Sequence, residues 1–303
     1  MRSVLFITST NLATNPRLLK EMTTLAESYE ISYLGMRLGT WSDEESEKLH
    51  GRFPKHTFYH ADVTRSNTVS WMVGTLVERM ARLVYPLFSN SCKINAYASS
   101  KRSWLLWKKA KHLPRFDLVV AHNMAALYPA YKLAEMHNCK FAFDVEDYHP
   151  WESIDSDAIN EEKRRKFLFK KLLPKAVYVS SASPLIAKEV SHLTGLDNVL
   201  LVNNTFPKNE FTFVPQTSEK LKCVWYSQNI SAKRGLELVL PELYKFKDKI
   251  EIDLIGKLNQ DFFESFLEKY DDFLNIYGPV NSKELHARIC EYDVGLAIDV
   301  NSA

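Results

Sequence analysis

The sequence predicts an α/β protein made of two doubly wound parallel-sheet domains, the second of them incomplete. Short β-branched and apolar runs alternate with segments of helical period along nearly the whole chain, the mark of a parallel sheet wrapped by helices. At 303 residues, 46% of them hydrophobic, the chain is long enough to build two cores. One stretch, TFPKNEFTFVPQTSEK at 205–220, breaks the alternation with two prolines and polar residues, and sets a domain boundary near residue 215, giving domains 1–215 and 216–303.

In the first domain, SVLFITS (3–9) is the opening strand. The helix NPRLLKEMTTLAE follows, with Asn15 as its N-cap and Pro16 at the first helical position. EISYLGM (30–36) and HTFYH (56–60) are the next strands, and helical periodicity then covers 68–88 and 92–113. FDLVVAH (116–122) is a strand, MAALYPAYKLAEMHN a helix with Pro129 in its first turns, and KFAFDV (140–145) a strand ending at Asp144 and Val145. A charged helix over 158–173, the run AVYVSSAS, a helix stopped by Gly195 and the strand NVLLVNN (198–204) complete the domain.

The second domain restarts the pattern with LKCVWYSQ (221–228), the helix RGLELVLPELYKF, IEIDLIGK (250–257), a helix across 260–270, LNIYGPV, the helix SKELHARICEY and DVGLAIDV. Four strands in about 85 residues fall short of the five or six of a doubly wound domain, so a natural continuation beyond Ala303 is expected.

Composition removes several classes of function. Basic and acidic residues nearly cancel, 39 against 37, so no broad electrostatic signature for nucleic acid exists. Cys92, Cys139, Cys223 and Cys290 are scattered, without the paired spacing of a zinc or redox site, which fits a reducing cytoplasm. The N-terminal apolar run has strand length and no signal-cleavage pattern, and no run approaches the roughly 20 residues that span a bilayer. Neither domain carries the glycine fingerprint of a dinucleotide fold or a P-loop.

In open parallel sheets ligands lie beyond the carboxyl ends of strands, which directs attention to four loops: TSTNLATNPR, HNM, EDYH and SQNISAKRG. The most charged stretch is FDVEDYHPWE (143–152), but Glu146, Asp147 and His149 lack a recognised metal-ligand spacing, so no metal site is expected. Three basic, aromatic helical patterns, SWMVGTLVERMARLVYPLF, KRSWLLWKKAKHL and KRRKFLFKKLLPK, have the composition of helices that lie in an anionic membrane interface. For 68–88 ordinary packing is the preferred reading; for the two basic segments packing and peripheral contact at the inner face of the membrane stay open.

Taken in order, NPRLLKEMTTLAES, DLVVAHNMAALYPAYKLAEMHNCKFAFDVED, VYVSSASPLIAKEV, VLLVNNTFP, WYSQNISAKRGLELVL and GPVNSKELHARICEYDVGLAI resemble a glycosyltransferase of the GT-B fold. The likeness is to the large retaining family (family 4-like) that builds bacterial surface polysaccharides and lipid-linked glycans, and it covers essentially the whole chain. It implies two Rossmann-like domains. Their implied activity is transfer of a sugar, with retention and without a metal or other cofactor, from a nucleotide-diphosphate sugar to a glycan or polyprenyl-linked acceptor. The donor would bind the second domain and the acceptor the first, with closure about residues 205–220.

By the same resemblance, His122 matches the histidine that faces the reacting sugar, with a capping or surface role as the alternative. Lys233 and Arg234 match the loop that neutralises the donor diphosphate, and Asn229 or Gln228 stands where the family's arginine is usual. Gly256 and Lys257, and the loop from Gly278 through Val280 to Leu285, match the segments that hold base and ribose. Glu146 and Asp147 fall on the acceptor wall, Glu146 in place of the family's histidine, while Asp144 reads as a structural anchor. Arg17 either reaches a phosphate or pairs with an acidic neighbour. The family's acidic pair, which follows the strand where this chain stops, is absent. Its absence, with the replaced arginine, keeps open a non-catalytic relative that binds a glycan or partner protein; an epimerase or phosphorylase on the same architecture is the other rival.

Overall fold

The computed structural model describes residues 2–152, 157–206, 208, 211–212 and 218–298. The chain divides into two compact units, Met1–Asn204 and Thr205–Ala303, and the boundary expected at residue 215 lies outside the described residues.

Unit 1 contains β1 (Ser3–Thr8), β2 (Glu30–Arg37), β3 (Thr57–Asp62), β4 (Leu118–His122), β5 (Lys140–Val145), β6 (Val179–Ser181) and β7 (Leu200–Leu201). They form one parallel sheet in the order β3-β2-β1-β4-β5-β6-β7. Residues alternate across a strand, and β1 shows the consequence. Leu5 and Ile7 join one core with Met36, Val119 and Phe143, while Val4 and Phe6 join another with Tyr33, Val120 and Ala142. Both faces are apolar because helices cover both.

Those helices are α1 (Pro16–Leu25), α2 (Trp41–His50), α3 (Thr68–Val84), α4 (Cys92–Ser99), α5 (Lys101–Ala110), α6 (Met124–His137), α7 (Ala158–Leu172) and α8 (Pro184–Thr194). Helix α1 starts as its sequence requires, with the Asn15 side chain accepting from Leu18 N at 3.0 Å and Pro16 at the first position. Gly195 closes α8 in the left-handed region, φ 74°. Helix α2 is missing from the sequence reading because Ser42 and Ser46 are its buried residues, so no apolar periodicity announces it. The pattern expected to run from 92 to 113 is two helices: Ser100 has extended backbone and caps α5, accepting from Arg102 N at 3.2 Å. Pro129 lies inside α6 and removes the amide that would pair with Ala125 O; Ser103 Oγ donates to that carbonyl instead, at 2.7 Å.

Helix α3 corrects the reading of 68–88 as a helix whose apolar face packs inward. Its buried residues are Gly74 and Ala81, whereas Val69 and Leu83 are each 72% exposed and Met72, Leu76 and Met80 are exposed with them. The small residues let the helix sit close to α5: a Cβ on Gly74 would already lie 3.7 Å from Leu105, Lys101 and Trp104. The large apolar residues, spaced three and four apart, are turned to solvent.

Unit 2 holds β8 (Leu221–Ile230), β9 (Ile250–Leu258), β10 (Leu274–Tyr277) and β11 (Val294–Gly295), parallel in the order β10-β9-β8-β11. Helices α9 (Leu236–Leu243) and α11 (Ser282–Ile289) flank it, while the helix expected across 260–270 changes winding twice, from α10 (Gln260–Phe262) through a π turn to a 3-10 turn. The last part of the strand expected over 293–300, residues 299–300, lies outside the described residues. Trp225, Ile230, Leu236, Leu240, Ile252, Leu254 and Phe262 form the centre of its core.

Candidate functional site

Each sheet has one place where connections leave in opposite directions, between β1 and β4 in unit 1 and between β8 and β11 in unit 2. Helices diverge there, so a crevice opens beyond the carboxyl ends of the two strands. A cavity occupies each of these places.

The unit 2 cavity has a volume of about 440 Å³ and is lined by Trp225, Tyr226 and Ser227 of β8, by Lys233 and Arg234, and by Gly295 at the end of β11 with residues 296–298 after it. Lys233 has φ 64° and Gly235 φ 86°, a left-handed corner that turns the chain from β8 into α9. The corner is pinned from within, because Lys233 N donates to Glu237 Oε1 at 2.6 Å and Arg234 Nη2 to Ser227 Oγ at 3.1 Å. Both cationic side chains are exposed and carry further donors at the start of α9, where the helix dipole disfavours cations unless an anion is present. The arrangement can hold a diphosphate or similar anion.

Other residues expected to bind the donor stand elsewhere than on this wall. Residues 228–230 belong to β8 and not to a loop, and Asn229 stands opposite Lys257 in the β8–β9 ladder. Gly256 also lies within β9, beside an irregularity in β8 between Tyr226 and Asn229. A Cβ there would come 2.3 Å from Ser227 O, so glycine is what lets the strand carrying Ser227 approach. Val280 and Leu285 are half-buried, and neither they nor Asn229, Gly256 and Lys257 line the cavity.

In unit 1 the ends of β4, β5 and β6 meet in a buried polar network. Arg17 grips Asp144 with Nε at 2.5 Å and Nη2 at 2.8 Å, donates through Nη1 to Val202 O, and Ser180 Oγ donates to the same carboxylate. Burial alone would raise Asp144, but the bonds from Arg17 and Ser180 and the proximity of His122 hold it below the ordinary carboxylate range. Of the two uses open to Arg17, pairing with an acidic neighbour is the one present. His122 is 1% exposed, with Nε2 2.9 Å from Glu21 Oε2 and Nδ1 3.6 Å from Asp144 Oδ2. Glu146 is half-buried beside this network, and burial, then the charge of Asp147, raises its carboxyl above the usual range; Asp147 is exposed.

The unit 1 cavity, about 280 Å³, is bounded by Ser9 and Thr10 after β1, by Ser99, Ser100, Arg102 and Ser103 at the α4–α5 break, by Asn123 to Ala125 after β4, and by His149, Glu152, Glu161 and Arg165. Asn123 adopts φ 66°, which its short side chain tolerates, and its Oδ1 accepts from Thr8 Oγ1 at 2.6 Å. Glu146 and Asp147 are not on this wall; His149 and Glu152, from the same ten-residue stretch, are. The signal available for them in the sequence was a histidine and a glutamate three apart in HPWE, which links the two side chains across a single turn. Among the described residues no group of three or more His, Cys, Asp and Glu is placed to hold a metal ion.

No protein-family model and no curated protein matches the chain. Solved structures do. An Anabaena protein, HepE, in complex with UDP and glucose aligns at TM-score 0.63 and 11% identity, covering 97% of this chain and 73% of that one. Sucrose-phosphate synthase from Thermosynechococcus elongatus aligns at TM-score 0.61 and 10% identity over 97% and 75%. The lipopolysaccharide outer core galactosyltransferase WaaB aligns at 0.54 and 11% over 97% and 73%. The fold is that of the GT-B glycosyltransferases. At these identities the GT-B likeness is one of architecture, and the assignment of activity rests on the residues.

Proposed function

We propose that the protein transfers a sugar, with retention and without a resident metal, from a nucleotide-diphosphate sugar to a glycan or lipid-linked acceptor in surface polysaccharide synthesis. The observation that carries this reading is the pair Lys233 and Arg234 in the switch-point cavity of unit 2, at the start of α9. Two cations at a helix N-terminus suit a diphosphate, and stabilising the departing diphosphate is the main electrostatic demand of sugar transfer. Unit 1 would serve the acceptor, with the buried His122 acting as a positioning residue in the network of Glu21 and Asp144 and not as a group in contact with the sugar.

The exposed stripe of α3 supports a peripheral contact with an anionic membrane, where a lipid-linked acceptor would be found. It adjoins a pocket lined by Val77, Lys93, Tyr97, Trp104, Trp107, Lys108 and Lys111, the mixture of apolar, aromatic and basic groups that an interface selects. The basic segment at 163–175 offers less, since Leu168, Phe169 and Leu172 are spent in the core. No described helix is long and apolar enough to cross a membrane.

Calorimetry with UDP-glucose and other nucleotide sugars tests the donor reading. Wild type is expected to bind at least one of them, and Arg234→Ala to weaken that binding by roughly tenfold or more, with Lys249→Ala unchanged. A chain that binds none of them is a non-catalytic relative, and the reading is wrong. Sugar products formed without any acceptor would instead indicate an epimerase.

A further inference from the structure

The unit 1 cavity contains polar groups that no described residue satisfies. His149 is 5% exposed, and its Nδ1 lies 2.7 Å from Glu152 Oε1. A carboxylate only accepts, so Nδ1 carries a proton toward it, and in the neutral ring a lone pair remains on Nε2. Among the described residues that Nε2 is buried without a hydrogen-bond partner, as is the hydroxyl of Ser99 on the same wall. The ring is held by Glu152, which is itself fixed: Arg165 Nη1 donates to Glu152 Oε2 at 2.8 Å and to His149 O at 2.6 Å, and Arg165 Nε binds Glu161 at 2.9 Å. A buried acceptor held this firmly costs free energy unless something donates to it.

Arg102 adds a second demand. It lines the same cavity and donates through Nη1 to Ser9 O at 3.0 Å, and among the described residues no carboxylate lies within ion-pair distance of it. Glu152 and Glu161, the carboxylates on the wall, are already taken by His149, Arg164 and Arg165. A largely buried guanidinium with no counter-ion among the described residues calls for an anion.

We propose that this cavity binds a monosaccharide-sized ligand bearing both a hydroxyl and an anionic group, the hydroxyl donating to His149 Nε2 and the phosphate or carboxylate pairing with Arg102. The volume, about 280 Å³, lies just below the usual range for small-molecule sites, about 300–1,000 Å³, as suits a ligand no larger than one sugar. The cavity lies at the switch point of the sheet, where such ligands bind. The proposal rests on the acceptor reading of unit 1 and narrows it to a charged sugar acceptor.

Binding of glucose 6-phosphate, glucuronate, glucose and inorganic phosphate to the full chain by calorimetry tests it. One of the two charged sugars is expected to bind at least tenfold more tightly than glucose or phosphate, and which one distinguishes phosphate from carboxylate. His149→Asn keeps a donor toward Glu152 while removing the Nε2 lone pair, and weakens binding roughly tenfold; Arg102→Gln weakens it roughly tenfold to a hundredfold, with partial rescue by Arg102→Lys. Thermal denaturation and UDP-glucose binding serve as controls for folding and for unit 2. Three results overturn the proposal: neither charged sugar binds up to about 10 mM, phosphate alone binds as tightly as either, or the folded variants bind like wild type. If a charged sugar binds but no nucleotide sugar does, the transferase reading falls and this site stands; the reverse outcome removes this site alone.

Discussion

Arg17→Met should destabilise unit 1 by about 3–5 kcal/mol, the usual cost of stranding one member of a buried ion pair. The two side chains are 7% and 4% exposed, so water cannot replace the lost partner. Methionine keeps most of the apolar length of arginine but leaves Asp144 with Ser180 Oγ as its remaining hydroxyl donor and Val202 O without its guanidinium. Asp144→Asn should cost a similar amount, because it leaves the guanidinium buried against a neutral amide. Arg17→Met/Asp144→Leu removes both charges and should lose much less than the sum of the single variants, with a coupling of about 2 kcal/mol or more. Urea denaturation, with amide exchange of β4 and β5 peptides to confine the reading to unit 1, measures all three. The pH dependence carries a sign. Asp144 lies below its ordinary range when folded, so its contribution is present above that range and is lost as pH falls through the lowered value. In Arg17→Met the carboxylate is buried without its cation, so the variant's deficit should shrink on acidification. Single-variant losses under about 1 kcal/mol, or simple additivity, would show the pair to be no stronger than a surface bridge and refute the argument.

Burial, aided by the neighbouring His60, lowers His50 from 6.5 to about 4, so the unfolded chain takes up that proton first as pH falls. Unit 1 should therefore lose stability between pH 6.5 and about 4, and His50→Gln should flatten the slope in part, since His56 and His60 are also lowered by burial; an unchanged slope counts against it. For α3, co-sedimentation with anionic phosphatidylglycerol vesicles should fall at least tenfold in Leu76→Glu/Leu83→Glu, because each leucine buried contributes about 1.5–3 kcal/mol. A wild-type chain that stays off such vesicles would end that reading.

What the residues announce by themselves is what local chemistry decides. Asn15 followed by Pro16 can cap and open a helix wherever the helix goes, and Gly195 can end one, because those choices depend on a few neighbouring dihedrals. The alternation of strand and helix implies a parallel doubly wound sheet for the same reason, since a parallel connection requires a crossover. The cations at 233 and 234 are legible too, being adjacent to the helix they precede.

Tertiary structure decided the rest, because it concerned partners far apart in sequence or which of two possible faces is buried. Arg17 and Asp144 are 127 residues apart, and sequence alone left the arginine with two roles. A stripe of apolar residues in α3 has the same period whether it turns inward or outward; the structure buries the face of Gly74 and Ala81, Gly74 against α5, and so turns the stripe outward. The local pair His149 and Glu152 was visible in HPWE, but only the walls supplied by α4, α5, α6 and α7 leave Nε2 buried, without a partner among the described residues, in one cavity with Arg102. Sequence by itself determined the architecture and the donors and acceptors available. Folding determined which were satisfied, because a hydrogen bond depends on an approach within about 3 Å that no spacing along a chain specifies.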